Sequence, residues 1–102
     1  MQEFITAKRE EIAKLCRTHH VQRLAVFGSA VREDFDPRKS DVDLLVAFEP
    51  APPVELVRNL EGLQTELVTL FGRPVDLIRE GVIKNVYRLR SIERDKVLLY
   101  AA

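Results

Sequence analysis

The chain has 102 residues, 46% of them hydrophobic and 31% charged, a size and composition that suit one globular domain with one core. Lys plus Arg equals Asp plus Glu at 16 each, so no net charge draws in nucleic acid or a membrane surface. The single cysteine, Cys16, excludes an internal disulfide and disfavours a cysteine-based zinc site. We therefore expect one domain over residues 1–102 that does not bind nucleic acid directly.

The sequence predicts a protein without a membrane anchor. No apolar run approaches the roughly 20 residues that a membrane-spanning helix needs. Residues 1–8 lack the apolar segment of a secretory signal. Together with the lone cysteine, these features favour a cytoplasmic location.

The first elements are a helix and a strand. Apolar residues at helical spacing predict one packing helix over residues 3–19. His19 and His20 at its end are adjacent and point in different directions, so we interpret them as an exposed helix terminus and not as metal ligands. Residues 23–27 are short, β-branched and aromatic, which predicts a strand.

A Gly-Ser pair follows this strand. Without a Cβ, the backbone at Gly28 can turn sharply and let a phosphate approach closely. Ser29 then opens a predicted helical turn over residues 30–33, whose free N–H groups attract an anion. Taken alone, the pair is more typical of an ordinary turn at the end of a strand.

Two aspartates begin the next strand. Residues 33–40 are polar and predict a loop, and residues 41–48 continue into an apolar run that predicts a central strand covered on both faces. Side chains two apart on a strand share a face, so Asp41 and Asp43 are expected side by side, as in carboxylates that share divalent cations. The alternative is that they only cap the strand and bind water.

A third acid lies on the third predicted strand. The strongest helical pattern spans residues 54–71 and ends at Gly72, which we expect to be a left-handed cap. Residues 74–78 then predict a strand whose apolar run is interrupted by Asp76. By itself this is a polar residue on an edge strand, but it becomes a third acid beside the two of the preceding strand.

The last segment is basic. Residues 79–96 have a moderate helical pattern, and their excess of Lys and Arg predicts a solvated face, or else steers a triphosphate or an acidic partner. Residues 97–100 predict a final short strand. The elements together predict an α+β fold: a two-layer domain with a small mixed sheet and helices packed against it.

The glycine, serine, arginine and aspartate residues around the predicted acid strands resemble those of the minimal nucleotidyltransferases of the DNA polymerase beta superfamily. The resemblance extends over most of the chain and implies their nucleotidyltransferase fold. Eleven residues separate Ser29 from Asp41, one more than in close relatives, which is a mild change in a loop. The motif residues are Gly28, Ser29, Arg32, Ser40, Asp41, Asp43 and Asp76.

The resemblance implies transfer of AMP from ATP to a hydroxyl, with Mg²⁺ as cofactor. Asp41, Asp43 and Asp76 would be the catalytic acids and would hold two Mg²⁺ ions, which take oxygen ligands and clamp the attacking and leaving oxygens. Asp76 would also orient or deprotonate the attacking hydroxyl.

The same resemblance implies a nucleotide-binding set around the acids. The Gly28 N–H and the Ser29 hydroxyl would hold the β- and γ-phosphates, and Ser40 belongs to the same set. Arg32 is a phosphate-contact candidate, with a surface salt bridge as its equal alternative.

The implied acceptor is another protein. Relatives of this kind are commonly antitoxins whose partner is an all-helical HEPN ribonuclease toxin. The resemblance therefore implies a hetero-oligomer in which AMP is transferred to a hydroxyl of the toxin, such as a tyrosine, and blocks RNA cleavage.

Two alternatives from other classes stay open. One is a binding protein that neutralises its partner by occlusion, with an acid site that no longer turns over. The other is a transferase for a small-molecule hydroxyl, but such relatives usually carry an additional substrate-binding domain, for which 102 residues leave little room.

Overall fold

The computed structural model describes residues 1–102 and contains one four-stranded sheet with helices on both faces. The strand order is β3-β2-β1-β4, with β2 and β3 parallel and the other two pairs antiparallel. This mixed sheet confirms the predicted α+β class. The elements in chain order are α1 (Glu3–Thr6), α2 (Arg9–Thr18), β1 (Val21–Phe27), a 3₁₀ turn (Gly28–Ala30), β2 (Val42–Phe48), α3 (Pro53–Phe71), β3 (Val75–Arg79), α4 (Val86–Asp95) and β4 (Val97–Ala101).

Three elements differ most from the sequence-based prediction. The N-terminal helix is divided in two at residues 7 and 8, and the backbone N–H of Gln2, just before α1, donates to the carbonyl of Ala30 at 3.0 Å. That turn lies at residues 28–30, earlier than predicted. In the basic segment the helix begins only after Asn85, whose side chain accepts a hydrogen bond from the Arg88 N–H and caps it.

The main core lies between one face of the sheet and helices α1–α3. Alternate residues of β2, namely Val42, Leu44 and Val46, are fully buried in this layer. The intervening residues point to the opposite face. The predicted helix end at Gly72 is confirmed, since this residue has a left-handed φ of 64°.

The opposite face of the sheet is covered only by α4. Ile92 of that helix packs on Phe27 of β1 and Leu45 of β2, with Ile78 and Ile83 at the edges of this small cluster. β2 is therefore an interior strand with packing on both faces, as its continuous apolar run predicts.

None of the helices combines the length and the apolar composition that a membrane-spanning segment requires.

At the end of α2, His20 is exposed as predicted, but His19 is not. The side chain of His19 is only 16% exposed, because it packs against Gly62 in the middle of α3 and its Nε2 contacts the Glu66 carboxylate. A Cβ added at Gly62 would lie 2.7 Å from His19 Cε1. The glycine therefore makes room for the ring, a tertiary contact that helical periodicity does not reveal.

We expect Gly62→Ala to destabilise the protein by about 1 kcal/mol, because the added methyl displaces His19 from Glu66. In a His19→Ala background the same change should instead stabilise by about 1 kcal/mol, the usual preference of a helix interior for alanine over glycine. Chemical denaturation of the four proteins of this cycle measures both values. Additive effects of the two changes would show that the ring does not require the glycine.

Candidate active site

Two of the three acids meet through the parallel pairing of β2 and β3. Asp43 and Asp76 are register partners, and neighbouring residues on parallel strands point to the same face. Asp43 is also the register partner of Phe27, the residue before Gly28. The end of β1 and the starts of β2 and β3 thus meet at one edge of the sheet, on the face that carries α4.

The three carboxylates interact electrostatically. Asp41 lies just before β2 and is exposed, Asp76 is exposed, and Asp43 is partly buried. Burial raises the pKa of Asp43, and the charges of Asp76 and Asp41 raise it further, while Arg88 and Arg32 oppose this shift. The sheet therefore holds a repulsive group of acids together.

Gly28 leaves room for one of these acids. Its φ is +71°, and a Cβ built on it would lie 2.5 Å from Oδ2 of Asp43. The sequence predicts a close approach of a phosphate here, and the structure adds the close approach of this carboxylate. Ser29 lies in the middle of the 3₁₀ turn, partly buried.

Ser40 belongs to the internal frame of the loop that leads to Asp41. Its Oγ accepts a hydrogen bond from the Asp36 N–H at 2.9 Å, and its own N–H donates to the Asp36 carbonyl at 2.8 Å. The carboxylate of Asp36 in turn accepts from the Arg38 N–H at 2.9 Å. In this arrangement Ser40 sets the path of the chain into Asp41, and a nucleotide contact by Ser40 stays a prediction.

Arg32 forms salt bridges in this structure. Its Nε lies 3.1 Å from Asp34 Oδ1 and its Nη1 lies 3.1 Å from Asp95 Oδ2 at the end of α4. Asp95 is only 15% exposed. Of the two roles that the sequence left open, the structure therefore shows the salt bridge, and a phosphate contact by Arg32 stays a prediction.

Sequence reasoning missed Arg73. Its guanidinium packs against the rings of Phe4 and Phe35, 4.4 and 5.1 Å from their centroids, and these two rings also contact each other. Nη1 also donates to the Pro37 carbonyl at 3.5 Å. Arg73 therefore joins α1 to the loop before Asp41, a cluster that no local pattern in the sequence indicates.

For the basic segment, sequence reasoning left open a solvated helix face and the steering of a triphosphate, and it singled out no arginine. In the structure Arg88 of α4 is exposed, and its charge lowers the pKa of Asp43. A signal for this position does exist in the sequence, because Arg88 is four residues before the apolar Ile92 and shares its face of the helix.

The acids fit a divalent cation bound in an open site. No group of three His, Cys, Asp or Glu side chains is arranged closely enough to enclose a metal ion by itself. Carboxylate oxygens are the ligands that Mg²⁺ prefers, and Mg²⁺ usually keeps several waters and substrate phosphates as further ligands. A cation would also relieve the repulsion that raises the pKa of Asp43. Asp41, Asp43 and Asp76 are the residues that would hold it.

The arrangement of a glycine turn and three acids at one sheet edge agrees with a sequence match. Residues 9–99 match the family described as Nucleotidyltransferase domain. The chain belongs to this nucleotidyltransferase family. A candidate protein adenylyltransferase of Methanocaldococcus jannaschii is 38% identical over 93 residues, which cover 91% of this chain and 89% of the relative. Because it belongs to this family, the protein is a nucleotidyltransferase enzyme.

Solved structures agree with the fold of this nucleotidyltransferase. A candidate minimal nucleotidyltransferase superimposes with a TM-score of 0.71 at 33% identity, over 93% of this chain and 92% of its own. A Shewanella oneidensis complex of a tri-AMPylated HEPN toxin with an MNT antitoxin matches with a TM-score of 0.63 at 18% identity, over 96% of this chain and 73% of the other. The second likeness shows a shared fold alone.

We expect Asp43→Asn to raise the melting temperature of the metal-free nucleotidyltransferase by a few degrees at pH 7. The raised pKa of Asp43 means that the folded state favours the protonated acid, so stability falls as pH rises from the ordinary carboxyl range through that raised pKa. The gain should therefore shrink toward acid pH. Thermal melts in EDTA from pH 5 to pH 8 measure it.

Asp34→Asn is the matched control. Arg32 lowers the pKa of Asp34, so the charged form of this acid favours the folded state, opposite to the effect at Asp43. This variant should gain no stability at pH 7. A lower melting temperature for Asp43→Asn than for wild type at pH 7 would show that the acids do not repel one another.

Gly28→Ala should reduce nucleotidyl transfer about 100-fold, because the methyl group displaces the Asp43 carboxylate. Gly81→Ala is the control: its φ is also positive, at +88°, but no atom lies within 4 Å of its Cβ position. Both variants share the backbone strain, and only the first has the clash. Equal activities in a transfer assay would assign any loss to strain alone.

Proposed function

We propose that this nucleotidyltransferase transfers AMP from ATP to a hydroxyl, such as a tyrosine, of a HEPN ribonuclease toxin and thereby acts as its antitoxin. The observation that carries this proposal is the register pairing of Asp43 with Asp76 beside the Gly28 turn. We further propose that residues 1–102 act as a single domain in the cytoplasm.

In the proposed reaction, the acceptor oxygen forms a bond to the α-phosphorus as the bond from that phosphorus to the bridging oxygen breaks. Pyrophosphate leaves, and Asp76 orients the hydroxyl and accepts its proton. Mg²⁺, when bound by the three acids, supplies charge stabilisation of the attacking and leaving oxygens. The Gly28 N–H and Ser29 hydroxyl hold the phosphates, with Arg32 and Ser40 at the edge of this set.

The comparisons support a protein acceptor. The Methanocaldococcus jannaschii relative carries the name of a protein adenylyltransferase, and the Shewanella oneidensis complex pairs an MNT antitoxin with an AMPylated HEPN toxin. Supply of the hydroxyl by a partner protein agrees with both facts.

A second candidate is an antitoxin that neutralises its partner by binding alone. One observation favours it: Arg32 is already neutralised by Asp34 and Asp95. In that case the acid site would be dispensable for protection against the toxin.

Incubation of the protein with Mg²⁺, ATP labelled at the α-phosphate and the protein encoded beside it tests the leading proposal. We expect label on the partner, and a loss of at least about 100-fold with Asp41→Asn, which removes a proposed metal ligand. Glu55→Gln, an exposed acid in the first turn of α3, is the control and should label as wild type does.

The outcome separates the two candidates. A stable complex with no label, in which the toxin is still inhibited by Asp41→Asn, would overturn adenylyl transfer and support occlusion. Labelling of an aminoglycoside or nucleotide acceptor without a partner would instead indicate a small-molecule transferase.

A further inference from the structure

The packing of α4 determines which side of the sheet Arg88 faces. Ile92, one helical turn further along, is buried against Phe27 and Leu45, and residues four apart on a helix share a face. The same two residues flank Asp43: Phe27 is its register partner and Leu45 lies two residues further on β2. The helix therefore presents Arg88 to the side of the sheet that carries the three carboxylates.

The guanidinium of Arg88 has no partner within the protein. Other arginines of this face form salt bridges: Arg23 with Glu80, and Arg32 with Asp34 and Asp95. For Arg88, only the backbone N–H is engaged, by the Asn85 side chain. Its charge lowers the pKa of Asp43, yet Arg88 forms no salt bridge with any acid.

We propose that Arg88 binds the β- and γ-phosphates of the nucleotide; this rests on the proposed use of ATP at the same site. The carboxylates repel a polyphosphate except where a cation lies between them. The phosphate oxygens that face away from the carboxylates therefore require positive charge from another element. A planar guanidinium can donate two parallel hydrogen bonds to phosphate oxygens. Arg88 is the unpaired guanidinium that α4 places there.

The salt bridge between Arg32 and Asp95 has a positioning role in this proposal. Asp95 lies in the last turn of α4, where an acid is unfavourable for the helix dipole. Its pairing with Arg32 offsets that cost and ties the end of α4 to the turn after Gly28. Arg32 thereby fixes the helix that carries Arg88, in addition to the phosphate contact proposed for Arg32 above.

Direct binding of ATP and of AMP to the full chain in Mg²⁺, measured by calorimetry, tests the proposal without any turnover. Arg88→Ala should weaken ATP binding about 10- to 100-fold, the effect of lost hydrogen bonds to a charged group. Its affinity for AMP, which lacks the two outer phosphates, should change less than about 2-fold. Arg88→Lys, which keeps the charge but not the fork of donors, should be intermediate.

Arg90→Ala is the matched control. Arg90 is exposed on the same helix, two residues on, and points away from the face of Ile92. This variant should bind ATP as wild type does, which separates a phosphate contact from the general loss of a positive charge on α4. An equal loss in both variants would overturn the proposal.

Two further results would contradict the proposal in different ways. Wild-type affinity of Arg88→Ala for ATP, or equal losses for ATP and AMP, would exclude Arg88 as the ligand of the outer phosphates and leave adenylyl transfer intact. Failure of the wild-type protein to bind ATP in Mg²⁺ would instead overturn the proposed function and this inference with it.

Discussion

The repulsion among three carboxylates at one edge of the sheet is the constraint on which the site depends. Asp43 is partly buried beside Asp76 and Asp41, so its pKa is raised. Such a group is unfavourable for folding by itself. It persists because backbone pairing of β2 with β3 fixes the positions of the acids and because Gly28 leaves space for the carboxylate of Asp43.

One face of the sheet carries the main core, and the other carries the candidate active site. The face toward α1–α3 carries the main core, including fully buried Val42 and Leu44, and this burial offsets the cost of the acid edge. The opposite face carries only a small apolar cluster around Ile92. Thin cover on that face leaves Asp41 and Asp76 open to solvent, where a cation and a nucleotide can reach them.

Several features followed from the sequence alone. The α+β class, the helix end at Gly72 and the strands that carry the acids were all predictable, because periodicity and glycine conformation are local properties. The motif around Gly28 and Asp41 also indicated the nucleotidyltransferase family, which the match over residues 9–99 shows. The ligands and roles of these residues stay predictions.

Other features were decided only by tertiary structure. The packing of His19 on Gly62, the packing of Arg73 against two phenylalanines and the salt bridge of Arg32 with Asp95 all join residues distant in sequence. The position of Arg88 beside Asp43 depends likewise on the face of the sheet that α4 covers. Local patterns specify which residues share a face of an element, and only the packing of that element determines what the face meets.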